Sequence, residues 1–122
     1  MNQNDCSGKT LKPWPVFVDH YTFTDWITKL RKKQRQAAAK IDIQIDRASA
    51  GNFGDYKAVR EGVLEMKIDF GPGYRIYYAI DGKKIIILLY GGDKDKQDSD
   101  IDKAVKYLRD YKARKQNDED RK

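Results

Sequence analysis

Two alternating stretches around Gly71-Pro72-Gly73 constrain this chain more than any other feature. In "GVLEMKIDF" (62–70), Leu64, Met66, Ile68 and Phe70 share one parity, and Val63, Glu65, Lys67 and Asp69 the other. In "YRIYYAI" (74–80), Tyr74, Ile76, Tyr78 and Ile80 share a face opposite Arg75, Tyr77 and Ala79. A period of two is the mark of a strand with one face buried. Read as a three-residue hairpin loop, Gly71-Pro72-Gly73 brings the two apolar faces together, since a one-residue slip would turn one of them to solvent. That register sets Asp69 opposite Arg75 and Lys67 opposite Tyr77. Arg75 is then on the open face of the sheet rather than in the core.

The neighbouring segments extend the pattern. Asp81-Gly82 is a turn signal, and "KIIILLY" (84–90) reads as an interior strand covered on most of both faces. Upstream, Trp14, Val16 and Val18 alternate as a first strand. Thr22 with Asp25 resembles a capping box, and Phe23, Trp26, Ile27 and Leu30 form one helical stripe. Residues 31–50 fit two periods: Ile41, Ile43 and Ile45 alternate, while Ala37, Ile41, Ile45 and Ala48 form a helical stripe. Length, composition and the absence of Gly and Pro before Gly51 decide for a second helix packed back on the first. "GNFGD" (51–55) and "GGDKDKQ" (91–97) are loops. Ser99 caps a last helix whose apolar stripe is Ile101, Ala104, Val105 and Leu108.

The expected fold is α+β: an N-terminal strand and helical hairpin packed on an antiparallel sheet, with a C-terminal helix. With 122 residues there is room for one core. We expect a flexible tail at 1–13, a single domain at 14–111, and a charged, frayed tail at 112–122. No run is long enough to span a membrane, and the start carries no signal-peptide pattern. Cys6 is the only cysteine, which suits a reducing cytoplasm.

Candidate chemistry is narrow. His20 is the only histidine, which speaks against a two-histidine ribonuclease, a histidine-rich metal cluster or a serine triad. No phosphate loop or dinucleotide fingerprint is present. Glu65 and Asp69 read as ion-pair partners of Lys67 and Arg75 rather than as paired catalytic acids. The net charge of +6 leans toward an anionic partner. What remains is a basic and aromatic face: Lys67, Arg75 and Tyr77 on adjacent strands, with Lys57, Arg60, Lys94 and Lys96 in flanking segments. Cations can hold a scissile phosphate, a lysine crowded by cations can act as a base, and a tyrosine can stack on a base. A solvated outer face with cross-strand ion pairs would use the same residues.

The strings "AGNFGD", "GVLEMKI", "GPGYRIYYAIDG", "ILLYGGDK", Gln97 and "DIDKA" occur in that order. Together they resemble the phage-derived addiction-module killer proteins, a HigB-like branch of the RelE/ParE toxin superfamily, over roughly residues 23–110. The resemblance implies a RelE-like fold and a toxin of a type II toxin–antitoxin pair. It implies a ribosome-dependent messenger-RNA endoribonuclease that works without metal or cofactor. The implied partners are a helix-turn-helix antitoxin, the ribosome and its messenger, with operator DNA bound only through the antitoxin complex. Arg75 matches the strand arginine that contacts the scissile phosphate. Lys67 matches a basic residue proposed as general base or phosphate ligand, and Lys94 one thought to help the leaving group. Lys57, Arg60, Tyr77, Lys96 and Gln97 join them as RNA-binding candidates. RelE-like members also carry a tyrosine in the C-terminal segment, where this chain has Gln97 to Asp100 and no tyrosine until Tyr107. That absence keeps an inactive antitoxin-binding relative open, and ParE-like members, which share the fold but poison DNA gyrase by binding it, are the other alternative.

Overall fold

The computed structural model describes residues 15–18, 21–82 and 85–120. Trp14, His20 and the expected tail at 1–13 lie outside them. The elements are β1 (Val16–Val18), α1 (Tyr21–Lys33), α2 (Arg35–Ser49), β2 (Asp55–Arg60), β3 (Val63–Ile68), β4 (Tyr74–Asp81) and β5 (Ile85–Asp93), then a 3-10 turn (Lys94–Lys96) and α3 (Gln97–Asp120). The sheet runs β1-β5-β4-β3-β2. Its last four strands are mutually antiparallel, and β1 joins parallel to β5, with Val16 against Ile86. This is the α+β, RelE-like arrangement expected from the sequence.

The ambiguity over residues 31–50 is resolved by burial. Ile41 is fully buried, whereas Ile43 is 48% exposed. A strand would have put both on one side, so the helical period holds. Ala37, Ala38, Ile41 and Ala48 of α2 join Phe23 and Ile27 of α1 against Met66, Ile76, Tyr78 and Leu88. Arg31 of α1 and Asp42 of α2 pair across the two helices at 2.7 Å.

The opposite face of the sheet is not open, as the sequence had suggested. The stripe Ile101, Ala104, Val105 and Leu108 of α3 lies over Val63, Tyr77, Ala79, Ile87 and Leu89. Both faces therefore carry apolar layers, and polar residues on the α3 face are exposed only beyond the roof.

The hairpin register also differs from expectation. Ile68 pairs with Tyr74 and Lys67 with Arg75, so the connection is the five residues 69–73. The Gly73 amide donates to the Phe70 carbonyl at 3.0 Å. Gly71 and Gly73 take φ of +57° and +89°, which glycine tolerates without strain. Because the shift is two residues, parity survives while the partners change.

Four further expectations are corrected. Residues 55–60, read as loop and flank, form the edge strand β2. Gly91 and Gly92 lie inside β5 rather than in a loop. A Cβ at Gly91 would collide with the Trp26 ring, and one at Gly92 with the Asp100 carboxylate, so each lets a side chain of a covering layer touch the strand. Neither expected cap acts as one. Thr22 lies inside α1 and its hydroxyl donates to the Leu89 carbonyl, while the Asp93 side chain, not Ser99, caps the 3-10 turn by accepting from the Asp95 amide. Finally, residues 112–120, expected to fray, continue α3 to Asp120. Asp81 at the end of β4 accepts hydrogen bonds from the Tyr111 hydroxyl (2.7 Å) and Lys115 Nζ (2.6 Å).

Candidate functional site

Cross-strand register sorts the polar side chains of the α3 face into two rows. One row is Asp55, Lys67, Arg75 and Gly92; the next is Lys57, Glu65, Tyr77 and Tyr90. The first row opens at the hairpin end into a groove of about 170 Å³, lined by Lys67, Asp69, the Gly71–Gly73 turn, Tyr74 and Arg75. The second row runs under α3.

Glu65 organises the second row. It is 3% exposed, although it is a carboxylate beside a largely apolar layer. Burying such a charge is costly unless it is paired and hydrogen-bonded. Gln97, the first residue of α3, donates from Nε2 to Glu65 Oε2 at 2.9 Å. Arg75 Nε lies 3.5 Å from Oε1, and Lys57 Nζ 3.9 Å from the same oxygen. Arg75 Nε is buried and makes no hydrogen bond of good geometry among the described residues. The Arg75 side chain is 16% exposed and reaches the groove wall.

Lys67 stands differently. It is exposed, has no ion-pair partner among the described residues, and faces Asp55 on one side and Arg75 on the other. The crowding by cations expected of it is therefore one-sided. Lys67 and Asp69 also line a second groove of about 260 Å³ that continues to Lys40 and Arg47 of α2.

The other candidates separate. Tyr77 cannot stack on a nucleobase, because α3 buries it completely. Burial, and after it the nearby Glu65 charge, push its phenol well above the ordinary value. Arg60 is at the far end of β2 and pairs with Asp102 of α3, so it is not brought to the groove. Lys57 is drawn toward Glu65. Lys94 begins the 3-10 turn just after β5, whose Asp93 pairs with Tyr74. Lys96 is exposed beside Gln97 on an open surface shared with Asp95, Asp98 and Ser99. Gln97, an expected RNA contact, donates its side-chain amide to Glu65.

Sequence reasoning gave Glu65 only an ion-pair role and overlooked Asp100. Asp100 is buried over Gly92, the register partner of Arg75, and burial pushes its carboxyl upward. The available signal was the glycine pair inside an apolar strand run. Among the described residues, no group of three or more His, Cys, Asp or Glu could hold a metal ion, and no helix is long and apolar enough to cross a membrane. The groove thus offers one tethered guanidinium and one exposed ammonium across a strand pair, an arrangement able to contact a single phosphate from two sides.

Residues 25–111 match the family model described as phage-derived protein Gp49-like (DUF891). The chain belongs to the phage-derived Gp49-like family. The match takes in most of α1, all of β2 to β5, and the groove residues. The Gp49-like chain is also 48% identical over 83 residues to an uncharacterized protein of Haemophilus influenzae Rd, covering 68% of this chain and 82% of that one. No solved structure matches.

Proposed function

We propose that this Gp49-like protein is the toxin of a type II toxin–antitoxin pair and cuts messenger RNA on the ribosome. The observation that carries the reading is the direct pairing of Lys67 with Arg75 across β3 and β4 at an open groove. Family membership, the RelE-like arrangement and the ordered motifs support it further. In the proposed reaction the 2′-oxygen of one nucleotide bonds to the adjacent phosphorus and the 5′-oxygen of the next leaves. Arg75 stabilises the charge that gathers on the non-bridging oxygens. Lys67 holds the same phosphate as an ammonium or, as the neutral amine, accepts the 2′-proton, and the Lys94 ammonium gives a proton to the leaving oxygen. The ribosome supplies the substrate geometry, so naked RNA is a poor substrate. A helix-turn-helix antitoxin silences the toxin and carries the complex to operator DNA.

The test is inducible expression in bacteria with mapping of transcript 5′ ends, for wild type and Arg75→Ala. Growth arrest with new ends at in-frame codon positions, lost in the variant, is the expected result. Arrest with intact transcripts and a DNA-damage response would replace this reading with gyrase poisoning.

A further inference from the structure

An arginine that must meet a phosphate gains from being aimed before the phosphate arrives, because loose orientation is paid for in the transition state. We propose that Glu65 and Gln97 form a positioning pair that fixes the Arg75 guanidinium at the groove. The role assigned to Arg75 rests on the functional reading above; the contacts do not.

The two carboxylate oxygens of Glu65 are divided between two tasks. Oε2 accepts from the Gln97 amide, and Oε1 faces Arg75 Nε. Gln97 opens α3 directly after the 3-10 turn that Asp93 caps, so its amide comes from a fixed point of the roof. That fixes the rotation of the carboxylate, which in turn fixes the side of the guanidinium that carries Nε. The two terminal nitrogens have no hydrogen-bond partner among the described residues and remain as donors for an anion. The Nε to Oε1 separation of 3.5 Å is that of an ion pair rather than a hydrogen bond of good geometry, so the carboxylate holds the guanidinium by charge. Lys57 reaches the same oxygen from 3.9 Å on a side chain 62% exposed, so it screens the charge without being able to orient Arg75.

Chemistry also argues that Glu65 is more than filling. The layer beneath α3 is largely apolar, and replacing a buried ion pair with apolar residues of similar volume is often neutral or stabilising. A carboxylate in that place makes sense as a fixed hydrogen-bond acceptor beside a cation that has work to do.

The test uses the full chain, with Glu65→Gln and Gln97→Ala made in wild-type and Arg75→Lys backgrounds. The first measurement is solvent exchange of the Arg75 Nε proton by 15N NMR, alongside backbone spectra and thermal melts. Slow exchange in wild type and at least roughly tenfold faster exchange in both single variants is expected, as for a proton released from a buried contact. The second is single-turnover cleavage on programmed ribosomes. Glu65→Gln should lower the rate at saturating ribosome on the order of a hundredfold, the scale of misplacing a catalytic group by about an ångström, with half-saturation little changed. In the Arg75→Lys background the same substitution should cost almost nothing. Unchanged Nε exchange in folded Gln97→Ala and Glu65→Gln overturns the proposal, as does an equal loss of rate in both backgrounds. If Glu65→Gln does not fold, Gln97→Ala decides alone. Absence of any cleavage by wild type would refute the functional reading, while the exchange measurement would still decide whether Arg75 is positioned.

Discussion

Lys67 and Arg75 stand directly opposite each other on β3 and β4, but only Arg75 is tethered: its Nε faces the buried Glu65, while Lys67 has no ion-pair partner among the described residues. The two cations should therefore separate in stability even where both are needed for activity. Lys67→Ala should change unfolding free energy by no more than about 0.5 kcal/mol, as for an exposed side chain. Arg75→Ala leaves Glu65 with weaker compensation and should cost roughly 1–3 kcal/mol. Urea unfolding of the two variants checks this. Equal stability of both would mean that Arg75 contributes nothing to holding Glu65.

A second expectation concerns the buried tyrosines. The Tyr78 hydroxyl is buried with no hydrogen-bond partner among the described residues, while its ring stacks on Phe53 at 5.7 Å and 5°. Tyr78→Phe keeps the ring and removes the unpaired hydroxyl, so it should be neutral or stabilising by up to about 1 kcal/mol. Urea unfolding checks this, and a loss of stability beyond about 1 kcal/mol would mean that the Tyr78 hydroxyl is paired after all.

The tie between Asp81 and α3 should be acid-sensitive. Hydrogen bonds from Lys115 and then Tyr111 hold the Asp81 carboxyl down to about 2. An unfolded chain restores the usual aspartate value of about 3.9. Its contribution is then complete above pH ~4 and fades as pH falls toward ~2, because there the unfolded state binds the proton more readily. Asp81→Asn should lower Tm at pH 7 by roughly 3–6 °C, the scale of one lost polar contact in a domain of this size. The gap to wild type should close by about pH 2. Thermal melts across that range test it, and a gap independent of pH would assign the effect to something other than ionisation.

Gly91 and Gly92 should tolerate no side chain. A methyl group at 91 meets the Trp26 ring, and one at 92 meets the Asp100 carboxylate. Each alanine variant should lose roughly 1–3 kcal/mol through overpacking. Asp100→Ala should recover part of the loss in Gly92→Ala and none in Gly91→Ala. Denaturant titration of wild type, the three single variants and the two double variants gives the answer, and equal recovery at both positions would mean that the clash is not local.

The sequence made the layers legible, because burial imposes a period on side chains. Phe23 and Ile27, Ala37 and Ile41, and Ile101 and Leu108 all lie where their stripes put them. Strand parity was legible for the same reason, which is why Lys67 and Arg75 were grouped correctly before their register was known. Register itself depended on turn geometry, and a "GPG" string does not say whether Asp69 and Phe70 belong to the strand or to the turn. "DYKAVR" escaped notice because an edge strand exposed along most of its length carries little alternation. The site was harder to read. Burial of Glu65 and Tyr77 depends on where α3 lands on the sheet, and a helical stripe names the face that is buried without naming what it covers. The role of Gln97 followed from that landing and from nothing local to residue 97.

Gly91 and Gly92 have a consequence for how this chain can vary. At that point β5 is a bare backbone with an indole against one side and a carboxylate against the other, so the two covering layers are one peptide apart. Positions 26 and 91, and likewise 92 and 100, are not free to drift independently. A side chain gained at 91 costs least where the indole has already been given up, and one gained at 92 where the acid that overhangs the strand next to Arg75 has moved. A change at 91 is therefore expected to come with one at 26, and a change at 92 with one at 100.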